Sequence, residues 1–256
     1  MTRSSRWFPH PQFFPALNTG EPCYVVSCDP GAKTGLALLA CVGGYVHCGV
    51  ATLSVTHPAA WRPTVDAVED TLMTLLAGGG PFAGATDPRG LPWALACELS
   101  SVHVRGGEAK WSQVNAANSL TPNAYTAGTV LAALAHLLGV ADPPGVAHPQ
   151  TWRRVLGKAN MGGEAAKRAA LRLCSSLWGA EWPVPARVNP GNAEAYRVRE
   201  LSHEAEAACI GLWRLREWAS GATARRTRSL PEAVLAAMKP VSQNRPVDAP
   251  EGPEAG

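Results

Sequence analysis

Residues 24–35 read Tyr-Val-Val-Ser-Cys-Asp-Pro-Gly-Ala-Lys-Thr-Gly, an apolar β-branched run followed by a glycine-containing turn. Such a run is typical of a buried strand, so we predict a strand over 24–28. Asp29 follows at its end, where nothing apolar requires an acid. Open α/β sheets place ligand groups at the carboxyl ends of their strands. Asp-Pro-Gly is also ordinary turn chemistry. Asp29 is therefore either a ligand-binding carboxylate or the cap of this turn.

The patterns on both sides of this stretch predict an α/β fold. Apolar runs indicate further strands, and spacings of three and four residues indicate helices. The glycines at 43–44 predict a hairpin turn, those at 78–80 end a helix, and Ser202 is placed to cap the last core helix. The predicted strands are 24–28, 36–42, 45–53, 93–97 and 146–148, and the predicted helices are 61–77, 123–138, 152–156, 164–178 and 202–219. The resulting order, β-β-β-α-β-α-β-α-α, implies a five-stranded mixed sheet with helices on both faces.

Length and composition fit one folded domain with tails. The chain has 256 residues, of which 46% are hydrophobic and 17% charged, and this excludes a chain that is disordered overall. We predict an irregular N-terminal arm over 1–20, a core domain over 21–219 and a mostly disordered tail over 220–256. Residues 100–121 are polar and predict a long loop.

Seven scattered cysteines without a Cys-x-x-Cys pair predict buried thiols in a reducing compartment rather than a zinc site or disulfides. The longest apolar run is too short to cross a bilayer, and no leader pattern opens the chain. We therefore expect a cytoplasmic protein without a membrane partner.

Basic residues are concentrated in one part of the chain. Residues 150–228 hold 14 Lys and Arg against 7 Asp and Glu, although the whole chain has a net charge of only +3. A basic block in an otherwise neutral protein is typical of a polyanion partner. Solvated helix faces explain the charge equally well.

Three further residues, Glu98, His203 and Glu206, place polar groups next to the predicted core, as Asp29 does. Glu98 ends the otherwise apolar strand at 93–97, and it meets Asp29 at one sheet end if the two strands are neighbours. At 100° per residue, His203 and Glu206 share the core-facing side of the last helix, whereas Glu204 is expected to face solvent. Acids at a helix start are also favoured by the helix dipole, which explains Glu204 well and a core-facing Glu206 poorly.

Two strand-end acids and one helix-start acid suit divalent cations. Hard oxygen ligands with few nitrogens favour Mg²⁺ or Mn²⁺ over zinc. Two such ions about 3.5–4 Å apart activate water and stabilise the leaving oxygen in phosphodiester cleavage. We therefore predict two Mg²⁺ (or Mn²⁺) ions per active site and no small-molecule cofactor.

Taken in order, these motifs resemble the RuvC family of Holliday junction resolvases, which have an RNase H-like fold. The resemblance rests on Asp-Pro-Gly-x-x-x-Gly at 29–35, the acid that ends the fourth strand, and His-x-x-acid-Ala at 203–207, and it covers roughly residues 22–218. Trp152-Arg-Arg, Gly157-Lys158 and Lys167 look most like a RuvC-like branch found in phages and other divergent genomes.

The resemblance implies roles for particular residues. The catalytic and metal-binding set is Asp29, Glu98, His203 and Glu206, and Glu206 stands where the family most often has Asp. Lys167 aligns with a catalytic lysine near the scissile phosphate. The implied or charge-predicted DNA-binding residues are Arg153, Arg154, Lys158, Lys167 and Arg168, together with Arg105, Lys110 and Trp111 in the region of the family's junction-wedging segment.

The sequence therefore predicts a metal-dependent, structure-selective endodeoxyribonuclease that cleaves four-way DNA junctions by two-metal hydrolysis. Helix 123–138 is apolar nearly all round, which predicts a homodimer. A bacterial or phage source implies association with the nucleoid, and an organelle stays an open alternative.

Three alternatives stay open. The first is another RNase H-like nuclease, acting on an RNA·DNA hybrid or a flap. The second is an ATPase of the actin and sugar-kinase type, which needs a second Asp-Gly strand turn that we do not find. The third is a non-catalytic DNA-binding relative, which loses acids that are all present here.

Overall fold

The protein is built around one mixed β-sheet, and its structure is a computed structural model. The described residues are 5–31, 33–55, 61–82, 88–98, 111–161, 163–179, 182 and 193–229, with the backbone alone at 111–121, 193–201 and 222–229. The strands are β1 (Ser5–Trp7), β2 (Gln12–Phe13), β3 (Cys23–Asp29), β4 (Lys33–Val42), β5 (Tyr45–Ser54), β6 (Trp93–Glu98) and β7 (Gly145–Ala147).

The predicted meander and both later strands are present. The sheet order is β1-β5-β4-β3-β6-β7, in which β3, β4 and β5 pair antiparallel while β6 pairs parallel with both β3 and β7. Gly43 and Gly44 make the β4–β5 turn with φ values of 59° and 83°, which favour glycine. The mixed sheet confirms the predicted α/β class.

The predicted strand count is wrong, because the sheet has seven strands rather than five. β1 and β2 both pair with β5, so the segment predicted as an irregular arm contributes two strands. They are short and interrupted by prolines, and so carry no alternating pattern. Trp7 anchors β1: its indole Nε1 donates to the Leu75 carbonyl at 2.5 Å, and its ring covers Gly49.

Five helices cover the two faces of the sheet. They are α1 (Trp61–Ala77), α2 (Trp111–Leu138), α3 (Pro149–Trp152), α4 (Gly163–Trp178) and α5 (Ala193–Ser229), and a 3-10 turn (Arg153–Leu156) follows α3. Alternate residues of β3 divide the core: Val25 lies in the cluster with α4 and α5, and Val26 in the cluster with α1 and α2. Helices therefore lie on both faces, as predicted.

Two helices are longer than predicted. α2 begins at Trp111, inside the predicted loop, and continues through Pro122, whereas residues 99–110 lie outside the described part of the chain. α5 begins at Ala193 and ends at Ser229, so Ser202 lies inside the helix and does not cap it. Both added segments are polar and carry no apolar stripe, which is why periodicity missed them. The rest of the predicted tail, 230–256, lies outside the described residues.

All seven cysteines are free and buried, as predicted. Within the described ranges, no helix is both long and apolar enough to cross a membrane.

Candidate metal centre

Strand register brings Asp29 and Glu98 to the same edge and face of the sheet. β3 and β6 run parallel with Cys28 opposite Cys97, so the acid that follows each cysteine lies at the same end. Side chains alternate along a strand. Cys28 and Cys97 belong to the cluster under α1 and α2, and the acids therefore project toward α5. The two strand-end acids thus lie at one end of the sheet.

Helix α5 brings the other two residues to this edge through close backbone contact. A Cβ on Gly35 would lie 2.1 Å from the carbonyl oxygen of His203, so only glycine at this position lets β4 approach the helix. The Ser27 hydroxyl donates to the Ala207 carbonyl at 2.7 Å. These contacts fix the height and rotation of α5 against the sheet, and thereby the positions of His203 and Glu206.

Three of the four predicted ligands converge. Ligand atoms of Asp29, His203 and Glu206 all lie within 4.8 Å of one another. Nδ1 of His203 lies 2.5 Å from Oδ2 of Asp29, so a proton on the imidazole joins the two side chains. Glu206 is 6% exposed, and Asp29 and His203 are partly buried. His203 and Glu206 thus lie on the side of α5 that faces Asp29.

The electrostatics of Glu206 show how closely the charges are crowded. Burial, followed by the negative charge of Asp29, raises the pKa of Glu206 well above its usual range. The charge of Lys167 lowers this pKa, and that of Glu98 raises it further. Lys167, which also lies 3.9 Å from the exposed carboxylate of Glu164, is therefore close enough to act on the site.

Glu98 lies beside the group of three rather than within it. The buried indole Nε1 of Trp152 donates a hydrogen bond to its Oε2. The charge of Glu98 still reaches Glu206, as its effect on the pKa shows. All four predicted ligands thus lie at one end of the sheet, with one carboxylate oxygen of Glu98 bound by protein.

Glu204 corrects the sequence prediction. It was expected to face solvent, but it is 2% exposed. Its carboxylate accepts hydrogen bonds at 2.8 Å from Arg6 on β1 and at 2.8 Å from Thr52 on β5. Helical phase gave the wrong exposure because the sheet gains an edge strand, β1, that supplies the counter-charge.

The predicted DNA-binding residues differ in exposure, and some lie outside the described part of the chain. Arg154, Lys158 and Arg168 are exposed on the 3-10 turn, the following loop and α4. Arg153 is half-buried, donates from Nη1 to the Met161 carbonyl at 3.0 Å and lies over the Trp152 ring. Arg105, Lys110 and the side chain of Trp111 lie outside the described residues.

The residues present fit a divalent cation. The convergent donors are mainly carboxylate oxygens with one imidazole, a set that Mg²⁺ and Mn²⁺ accept. The crowding of carboxylates around a buried Glu206 is a second indication, because a cation offsets their repulsion. Asp29, His203 and Glu206 would hold one ion, and Glu98 with Asp29 a second.

Sequence reasoning missed Trp152 as a partner of Glu98 and missed the bond from Arg6 to Glu204. Trp152 belongs to the Trp-Arg-Arg motif, but no feature of the neighbouring sequence indicates which group accepts its hydrogen bond. Arg6 lies 198 residues from Glu204, and no spacing rule connects them.

The similarity of the chain to known proteins lies in structure and not in sequence. No protein-family model matches the chain, and no curated protein matches its sequence. Among solved structures, the chain is similar to the Thermus thermophilus RuvC structure, with 19% identity, 78% of this chain and 97% of that chain covered, and a TM-score of 0.43.

Proposed function

We propose that this chain is a divalent-metal-dependent endonuclease with an RNase H-like fold that cleaves four-way DNA junctions. The observation that carries the proposal is the convergence of Asp29, His203 and Glu206 within 4.8 Å, with Glu98 at the same sheet end. Carboxylates crowded in this way are used for metal-assisted phosphodiester hydrolysis. Exposed basic residues on the turn after Trp152 and on α4 next to Lys167 support a nucleic-acid substrate.

Each side chain has a defined task in this reaction. Bound divalent cations supply an activated water for attack on phosphorus and offset charge on the leaving oxygen. Asp29 and Glu206 orient this chemistry because both are anchored to rigid elements, β3 and α5. Lys167 places positive charge near Glu206, where a phosphate oxygen would approach. His203 either ligates through Nδ1 without a proton or holds a proton there that Asp29 accepts.

The basic surface and the symmetry of the substrate complete the proposal. Arg154, Lys158 and Arg168 would bind backbone phosphates, and Arg153 would support the turn that carries Arg154. A four-way junction has two-fold symmetry, so a homodimer presents one site to each of two strands.

The deciding experiment compares a four-way junction, a linear duplex and an RNA·DNA hybrid, each with Mg²⁺ or with EDTA. We expect paired nicks in the junction with Mg²⁺ alone. Preferential cutting of the hybrid would support the other RNase H-like activity, and no cutting of any substrate would contradict the nuclease proposal.

Replacement of the first ligand gives a sharper test. We expect Asp29→Asn to slow cleavage by about 10³-fold or more, since a bound metal supplies several kcal/mol to the transition state. Junction binding should persist, because the basic residues are unchanged. Asp66→Asn on the exposed side of α1 is the matched control and should cut at the wild-type rate. A fully active Asp29→Asn protein would show that the site is elsewhere.

A further inference from the structure

Trp152 makes an unusual hydrogen bond for a buried tryptophan. It is 0% exposed, and its indole N–H donates to the Glu98 carboxylate. Trp7, Trp93 and Trp178 also donate from Nε1, but each to a main-chain carbonyl, those of Leu75, Pro88 and Val46. Of the four tryptophans with described acceptors, Trp152 is thus the one that binds a charged group.

Short-range geometry places Trp152 beside Glu98. Ala147 of β7 pairs in register with Glu98, and the chain turns directly into α3. His148 caps that helix by accepting from the Gln150 N–H at 3.3 Å, and Pro149 opens it. Trp152 ends α3, and its indole reaches Glu98 at the end of β6. The short connection from β7 through α3 therefore holds the indole in a defined position relative to Glu98.

The indole is itself held in place on its other side. The Arg153 guanidinium lies 5.5 Å from the centre of the Trp152 ring, and its Nη1 donates to the Met161 carbonyl. A donor that is buried and packed in this way costs little to keep oriented, and a hydrogen bond to a charged acceptor is stronger than one to a neutral acceptor. The bond therefore restrains the rotation of the Glu98 carboxylate.

From this geometry we propose that Trp152 is a positioning residue for Glu98. Its N–H binds Oε2 and so holds the Glu98 carboxylate in one orientation at the sheet end where Glu98 and Asp29 would bind a divalent cation. This inference rests on the proposed function, because it assumes that Glu98 is a metal ligand. Outer partners of metal-binding carboxylates typically change metal affinity or activity about 10–100-fold when they are removed.

The test is calorimetric titration of Mn²⁺ into the DNA-free protein. Trp152→Phe keeps an aromatic ring but removes the donor. Trp178→Phe is the matched control, since Trp178 is also buried and donates to the Val46 carbonyl rather than to a residue of the site. We expect Mn²⁺ to bind about 10–100-fold more weakly to Trp152→Phe and with unchanged affinity to Trp178→Phe. Melting temperatures of both variants, measured in EDTA, separate this loss from simple destabilisation.

A double-mutant cycle shows whether Trp152 acts through Glu98. In a Glu98→Gln background, Trp152→Phe should no longer change Mn²⁺ affinity, because the group it orients is no longer an anion. An equal effect in both backgrounds would overturn the inference. Raised Mg²⁺ should restore cleavage by Trp152→Phe, while Trp178→Phe should need no rescue.

Nuclear magnetic resonance of the wild-type indole groups tests the bond if Trp152→Phe does not fold. The ¹H–¹⁵N indole signal of Trp152 should move on Glu98→Gln substitution and on addition of Mg²⁺, and that of Trp178 should not. An unmoved Trp152 signal contradicts the inference. Failure of the proposed function looks different: Asp29→Asn would then bind Mn²⁺ as well as wild type does.

Discussion

Glu206 shows, at the scale of one residue, how its surroundings oppose the ionisation of a carboxyl group in the candidate site. Its carboxyl group is almost fully buried, and the neighbouring carboxylates of Asp29 and Glu98 add to the cost of ionising it. The positive charge of Lys167 acts in the opposite direction but does not outweigh burial, since the pKa of Glu206 remains raised. Without a cation, the ionised site is therefore expected to destabilise the fold.

Stability should depend on pH in a way that identifies Glu206. A raised folded pKa means that the carboxyl contributes stability below its unfolded pKa, about 4.3, and that this contribution is lost as pH rises through the folded value. In EDTA, Glu206→Gln should therefore melt at a higher temperature than wild type at pH 8, with the gap closing toward pH 4.

Thermal unfolding at a series of pH values checks this expectation. Mg²⁺ should narrow the gap at pH 8 by stabilising the wild type alone. Asp66→Asn, an exposed carboxylate on α1, should leave the pH profile unchanged. Melting temperatures of wild type and Glu206→Gln that change with pH in the same way would show that ionising the buried carboxylate costs no stability.

At the scale of elements, the turn of α5 that carries His203 and Glu206 depends on the edge strand β1. Arg6 reaches from β1 to the carboxylate of Glu204, the residue after His203, and its guanidinium also lies 5.2 Å from the centre of the Trp182 ring. Thr52 of β5 donates to the second oxygen of the same carboxylate. Two neighbouring strands therefore hold the turn of α5 that carries the site.

Removal of the Arg6 charge should destabilise the protein strongly. Arg6→Met removes the counter-charge of the buried Glu204 carboxylate, and breaking a buried ion pair in this way costs about 3–5 kcal/mol. Arg172→Met, an exposed arginine on α4, should stay within about 0.5 kcal/mol of wild type. The free energies of unfolding in urea decide the question. Equal values for the two variants would mean that β1 does not stabilise α5 through this pair.

At the scale of the whole molecule, the two faces of the sheet are used differently. The face under α4 and α5 carries the candidate site, and the face under α1 and α2 is a plain apolar core. On the outer side of α2, Tyr125 is 58% exposed, and the small residues Gly128 and Ala132 continue the same exposed stripe. Small residues allow a second helix to approach closely, which fits the predicted homodimer.

Light scattering should give twice the chain mass of 26.9 kDa. Ala132→Glu places a charge on the exposed stripe of α2 and should yield a folded monomer, whereas Ala77→Glu, at the exposed end of α1, should remain dimeric. The monomer should lose paired nicking of junctions, because one site then acts alone. A wild-type monomer would contradict the dimer, and a dimeric Ala132→Glu protein would exclude this face.

Local periodicity indicated the four acidic and histidine residues of the candidate site, but not the groups that hold them. The alternation of side chains along a strand and the 100° step of a helix are properties of the backbone itself. Asp29 and Glu98 at strand ends, and His203 and Glu206 on one helical face, could therefore be assigned from the sequence, and the structure brings them to one edge. The apolar core and the buried cysteines followed in the same way.

Only the tertiary structure decided which distant groups satisfy the buried polar atoms. Arg6, which donates to Glu204, is 198 residues away from it, and Trp152, which donates to Glu98, is 54 residues away from it. Strands β1 and β2 form because β5 has an unpaired edge and because the Trp7 ring packs over Gly49. Their own residues do not favour extended structure. Periodicity is set within a few residues, whereas burial, counter-charge and edge pairing depend on chain segments that meet only in the folded protein.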